Sequence, residues 1–273
     1  MDFRGKEFPM SDTDFRYLAG KAYALSGIVL GESKKELVYS RVARRVRALG
    51  LGNFNQYCDY LNTYEDQEVN EFLNSITTNL TSFFRESHHF EFLAKTVIPE
   101  WKKLPTSRPI RLWSSACSTG QEAYSMAITL RRNFDVSKHD IKILATDLDS
   151  RVLGVCKQGE YPLSDVEQLP RDYHGCFYKS SERDQARIKE DYKNLIQFNR
   201  LNLLGEWPMK KKFDVIFCRN VVIYFNKESQ VELFSRLADA LNPGGYLFIG
   251  HSENLYGASH LFQSLGHTIY KKR

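Results

Sequence analysis

IRLWSSACSTGQEAYSMA, residues 110–127, is a short apolar run that opens through small residues into a helical pattern, and IKILATDLDS, residues 141–150, repeats its strand half. Strand, tight turn and helix in alternation describe a parallel sheet whose crossover helices cover its faces. The alternation resumes with FDVIFC (213–218), the helical KESQVELFSRLADALN (227–242) and YLFIG (246–250). The fold class is therefore α/β, a doubly wound, mostly parallel sheet. Between about residues 160 and 198 the alternation stops, and this polar, tyrosine-rich stretch reads as an inserted subdomain on a small antiparallel sheet.

Upstream the period is helical. Ser11 and Asp14 make a helix start, Phe15, Leu18, Ala22 and Leu25 recur on one face, and Gly27 ends it. Ser33 with Glu36 reads as a second capping box before ELVYSRVARRVRAL (36–49) and Gly50. There Val38, Val42, Val46 and Leu49 share a stripe, Lys34, Arg41, Arg44 and Arg45 gather on its flank and back, and Leu37 falls on the basic side. NFNQYCDYLN (53–62) and QEVNEFLNSITTNL (67–80) continue the helical signal up to the polar KKLPTSRP (102–109). The expected division is an all-α N-terminal domain with its linker over 1–85 and an α/β domain over 86–273, the insert lying near 160–198.

A chain of 273 residues is long enough for two such units, and 42% hydrophobic with 26% charged residues is ordinary globular composition. No apolar run reaches the roughly 18 residues of a membrane span, and the first residues form no apolar signal region, so a cytoplasmic protein is expected. Cys58, Cys117, Cys156, Cys176 and Cys218 are scattered, without CxxC, and read as reduced thiols rather than a zinc site; no metal is expected. The formal charge of +5 is mild. The basic helix has no aromatic stacking platform beside it, so nucleic acid is not expected as a partner.

Small side chains and Gly120 before a helix let the backbone approach a ligand at the helix N-terminus, where a nucleotide binds in such sheets. A single glycine excludes GxGxxG, and no P-loop lysine follows, which argues against dehydrogenases and NTPases. Asp147 stands at the carboxyl end of the second strand, placed either to accept hydrogen bonds from two ribose hydroxyls or to cap the following helix, for which Asp149 is the better candidate. Arg219 and Asn220 emerge where the fourth strand meets the crevice, a place where such residues often only order a loop. His88 and His89 are expected on different faces of a helix, in packing or surface roles.

TTNLTSFFRESHHF (77–90), SSACSTGQEAYS (114–125), ATDLDSRVL (145–153), NLL (202–204), FDVIFCRNVVIYF (213–225) and GGYLFIGHSEN (244–254) resemble, in order, the motifs of the CheR family of chemotaxis receptor glutamate methyltransferases. The resemblance covers nearly the whole chain and implies a Rossmann-like S-adenosylmethionine methyltransferase domain behind the helical one. It implies that Asn79, Thr81 and Arg85 reach the methionine end of the cofactor, that Glu122 and Asp147 are acids of its pocket, and that Asn202 and Leu203 flank the adenine. Arg219 and Asn220 would close the pocket near the methyl group, and Arg85 and Tyr224 would position the reacting atoms. Gln121 and Ala123 depart from the family, which often has Glu and Pro there.

S-adenosylhomocysteine would be the product, and no general base is needed because a glutamate carboxylate is ionised at neutral pH. The implied partner is the glutamate-rich helical methylation region of a chemoreceptor, docked by Lys34, Arg41, Arg44 and Arg45. In some family members the insert also binds a receptor C-terminal tether peptide, which this sequence leaves open. A monomer is the default expectation.

Overall fold

The computed structural model describes residues 6–180 and 182–273. The chain begins with α1 (Asp12–Ser26), α2 (Lys35–Ala48), α3 (Phe54–Thr63) and α4 (Glu65–Ile76). Ser11 and Asp14 form the reciprocal capping box, and Gly27 closes α1 in the left-handed region at φ 71. Gly27 is required for a second reason: a Cβ there would lie 1.9 Å from Leu204 Cδ1, so the end of α1 presses against the α/β part of the chain. The second helix start differs from the sequence reading. A 3-10 turn over Glu32–Lys34 leads into α2, and no side chain caps it. Ser33 lies inside that turn, which satisfies the first donors through the backbone and leaves a serine cap nothing to do.

Val38, Val42 and Val46 are fully buried against Phe15, Leu18, Phe54, Leu61 and Phe72, forming a core of the helical unit's own. Arg45 is spent inside this unit. Its Nε and Nη2 donate to the two oxygens of buried Glu68 at 2.8 and 2.6 Å, and Tyr57 Oη donates to the same carboxylate.

After a linker, α5 (His88–Phe92) runs through a π turn at Leu93–Val97 into α6 (Ile98–Trp101). Then follow β1 (Ile110–Ser114), α7 (Gln121–Asn133), β2 (Ile141–Asp147) and α8 (Ser150–Gln158). The insert holds β3 (Glu160–Pro162), α9 (Leu163–Glu167), α10 (Arg171–His174), β4 (Phe177–Ser180), β5 (Gln185–Ile188) and α11 (Glu190–Lys193). The chain returns with β6 (Ile196–Arg200), β7 (Phe213–Cys218), α12 (Lys227–Ala240), β8 (Leu241–Ile249), β9 (Phe262–Ser264) and β10 (Ile269–Lys272).

The main sheet has seven strands in the order β6-β2-β1-β7-β8-β10-β9, and the insert has three in the order β3-β5-β4. All main-sheet pairs are parallel except those of β10 with β8 and β9. The insert is antiparallel. It ends earlier than the sequence reading put it, because β6 begins at Ile196 and pairs with β2. The alternation of β1 divides the core: Ile110 and Leu112 pack toward α6 and α7, while Trp113 packs with Phe234 and Leu237 of α12 on the other face. From β1 the chain builds outward to β2 and β6, then restarts at β7 on the other side, so the crevice between β1 and β7 is the topological switch point where ligands bind in such sheets.

Candidate active site

The loop after β1 is tightly built. Cys117 N–H donates to Thr146 O at 2.9 Å, and Ser118 N–H donates to Asp147 Oδ2 at 2.8 Å. Gly120, at φ 96, opens α7; a Cβ there would meet Cys156 Sγ at 2.9 Å, so neither the backbone angle nor the space admits a side chain. Asp147 Oδ1 accepts from Asp149 N–H at 2.9 Å, whereas α8 is capped by Asp149, which accepts from Arg151 N–H. Asp147 therefore leaves the cap to Asp149 and lines the cleft, where burial pushes its carboxyl above the ordinary range.

The floor of the cleft is a charge sandwich. Arg219, buried at the end of β7, donates from Nη1 to Glu122 Oε2 at 3.0 Å and lies 3.3 Å by Nη2 from Glu86 Oε2. Ser114 Oγ donates to the other oxygen of Glu122 at 2.6 Å. Burial, against the pull of Arg219, raises Glu122; for Glu86 burial is outweighed by Arg219, Asn220 and the His251 N–H, and its carboxyl is lowered. Asn220 sits at φ 57, held there by its N–H on Glu253 Oε2 at 3.0 Å. Glu253 also accepts from the N–H groups of Val221, Val222 and Gly250. Gly250 is required beside it, since a Cβ would come within 2.8 Å of Asn220 N.

The linker closes the cleft from the helical side. Asn79 Nδ2 donates to Asp149 Oδ2 at 2.9 Å, its carbonyl accepts from Ser118 Oγ at 2.8 Å, and Arg85 Nη1 donates to Leu80 O. Asn202 Nδ2 donates to Leu25 O of α1, Leu203 is buried in the core against α12, and Val29 N–H donates to Tyr224 O. The resulting cleft, solvent mouth included, encloses about 1200 Å³. Asn79, Thr81, Arg85, Glu122, Asp147, Asn202, Leu203, Arg219, Asn220 and Tyr224 all line it, and no histidine or cysteine among the described residues does.

The basic side chains divide. Lys34 lines the cleft wall with Leu37, which explains why an apolar residue interrupts the basic side of α2. Arg41 is half-buried and donates to Ile76 O, Thr77 O and Thr78 Oγ1, tying α2 to the start of the linker. Arg44 is exposed. Arg45, as described, belongs to the interior pair with Glu68.

The sequence reading missed Glu86 and Glu253, whose partners are distant in the chain or visible only as backbone groups. His88 and His89 have the packing and surface roles expected of them but not on different faces, for both Nε2 atoms approach the carbonyl of His267, at 3.3 and 3.0 Å. They converge because the turn at His267 and Thr268 packs across the start of α5. Glu86, His88 and His89 bring potential ligand atoms within 4.8 Å of one another. Arg219 already supplies the positive charge facing Glu86, so the trio does not describe a metal centre.

A strand-end acid, a small-residue loop and a cleft at the switch point define a nucleoside-binding crevice, and the family match makes the chain an S-adenosylmethionine-dependent methyltransferase. The description "CheR methyltransferase, SAM binding domain" matches residues 79–271, and "CheR methyltransferase, all-alpha domain" matches residues 13–77. The chain belongs to the CheR methyltransferase family. It is 43% identical over 272 residues to chemotaxis protein methyltransferase 2 of Pseudomonas aeruginosa, covering 98% of this chain and 96% of that protein. A probable chemotaxis protein methyltransferase of Rhizobium etli is 42% identical, with 91% and 96% covered. The chemotaxis protein methyltransferase of Salmonella typhimurium is 38% identical, with 96% and 90% covered.

Proposed function

We propose that the protein transfers the methyl group of S-adenosylmethionine to glutamate side chains in the helical methylation region of chemoreceptors, giving methyl esters in chemotactic adaptation. The observation that carries the chemistry is the convergence of Asp147, Glu122, Arg219 and the linker residues on one cleft that holds no histidine or cysteine among the described residues. When bound, S-adenosylmethionine supplies an electrophilic methyl carbon and leaves as a neutral thioether, so an ionised carboxylate attacks without a general base.

The residues present fit the cofactor. Asp147 offers lone pairs to a ribose diol, Glu122 and Arg85 offer opposite charges to the two ends of an amino acid, and Arg219 Nε is buried with no partner. Leu148 and Leu203 give the cleft apolar surface for an adenine, with Asn202 beside them. Tyr224, Asn220 and Arg85 would align the reacting carboxylate and keep water out, the kind of positioning that dominates such a transfer. In this reading residues 1–85 act as the docking unit with its linker and residues 86–273 as the transferase.

Lys34, Arg41 and Arg44 would meet the acidic receptor helix, while Arg45 serves mainly to hold α2 on α4. A receptor tail peptide, where one exists, would add as a strand to an edge of β3-β5-β4. The site of action would be the cytoplasmic side of the membrane, with the enzyme as a monomer.

Incubation with radiolabelled S-adenosylmethionine and receptor-containing membranes tests the assignment. Base-labile label on the receptor is the expected result. Label on another component, or cofactor binding with no transfer, would overturn it.

A further inference from the structure

Three large aliphatic side chains stand in solvent around the cleft mouth. Leu80 is 80% exposed, Ile223 52% and Val29 46%. Single exposed apolar residues are ordinary, but these belong to one place: Leu80 and Val29 line the cleft, and Ile223 adjoins Tyr224, whose carbonyl accepts the Val29 N–H at 2.9 Å.

The backbones of Leu80 and Val29 are pinned, that of Val29 by Tyr224 O. Leu80 O accepts from Arg85 Nη1, and the preceding Asn79 is held by both Asp149 and Ser118. A leucine so fixed, with its side chain uncovered, is presented rather than packed.

We propose that Leu80, Val29 and Ile223 form an apolar collar that grips the nonpolar face of the helix bearing the target glutamate. The occupant is an amphipathic acidic helix, because Lys34 stands in the same cleft wall and Arg44 is exposed on the neighbouring helix α2, so acid and apolar faces each meet their complement. A collar of this kind also strips water from the attacking carboxylate as the helix seats. The proposal rests on the reading that a receptor helix is the substrate.

The test uses the full chain with receptor membranes and compares wild type, Ile223→Ser, Leu80→Ser and the double variant for receptor KM, kcat and S-adenosylmethionine Kd. Both side chains are largely outside the core, and retained cofactor binding reports a folded enzyme. The double variant is expected to raise receptor KM roughly tenfold, with Ile223→Ser, outside the cofactor cleft, leaving cofactor Kd within about twofold of wild type and Leu80→Met keeping receptor KM near wild type. An unchanged receptor KM overturns the collar, as does a cofactor Kd that rises in step with KM, which would make these residues part of the cofactor pocket. Absence of base-labile label with wild type instead sinks the methyl-ester assignment and the collar with it.

Discussion

Arg219 and Glu122, 97 positions apart in the chain, meet at 3.0 Å in the floor of the cleft, both buried. A buried ion pair of this kind adds little net stability, yet losing one partner is costly because the other charge remains buried and unpaired. Here Arg219 faces Glu86 as well, so one guanidinium is shared between two carboxylates.

Arg219→Met should therefore lower unfolding free energy in urea by about 3–5 kcal/mol. Adding Glu122→Gln should recover part of that loss, giving a coupling energy in the double-mutant cycle. Additive losses would show that the pair does not act as a unit.

Asp147→Asn keeps the size of the side chain and removes its charge. If Asp147 holds the ribose, calorimetric Kd for S-adenosylmethionine should rise by about 1.5–3 kcal/mol, roughly ten- to a hundredfold. Receptor KM measured at saturating cofactor should not move.

His89 is fully buried, and burial followed by the charge of Arg219 depresses its imidazole to about 3, against 6.5 for an exposed histidine. The native state thus refuses a proton that the unfolded chain accepts. The stability involved is complete above 6.5 and is lost as pH falls, with a slope of about 1.4 kcal/mol per pH unit. Between pH 7 and pH 5 wild type should lose about 2 kcal/mol more unfolding free energy than His89→Gln, as read from urea titrations.

Arg44 and Arg45 are neighbours with separable roles. Arg45→Ala strands the buried carboxylate of Glu68 and should cost about 3 kcal/mol of stability. Arg44→Ala should leave stability within about 0.5 kcal/mol and raise receptor KM severalfold. Equal effects of the two on KM at unchanged stability would contradict this division.

The parts of the fold legible in sequence were those whose signal is local. The capping box at Ser11, the apolar runs of β1, β2 and β7, and the strand-end position of Asp147 each depend on a few adjacent residues. β6 escaped notice because, as an edge strand, it buries little beyond Phe198 and reads as polar IQFNR. Ser33 misled because a serine three residues before a glutamate looks the same whether the backbone makes a cap or a 3-10 turn. Glu86 escaped because its partners Asn220 and His251 are 134 and 165 positions away, and Arg45 looked free because Glu68 is 23 positions off on another helix.

Asp149 both begins α8 and fastens the linker, accepting from Thr77 Oγ1 and Asn79 Nδ2 at 2.8 and 2.9 Å, while Asn74 of α4 exchanges hydrogen bonds with Ser150. This sets a limit on modularity. A helical unit borrowed from another protein would fit this transferase only if it brought an amide at position 74, a hydroxyl at 77 and an amide at 79, all in the same register. Since Gly27, Leu25 and Val29 also meet the transferase, through Leu204, Asn202 and Tyr224, the boundary between the two units is a surface made by both ends of the helical unit rather than the single loop that joins them.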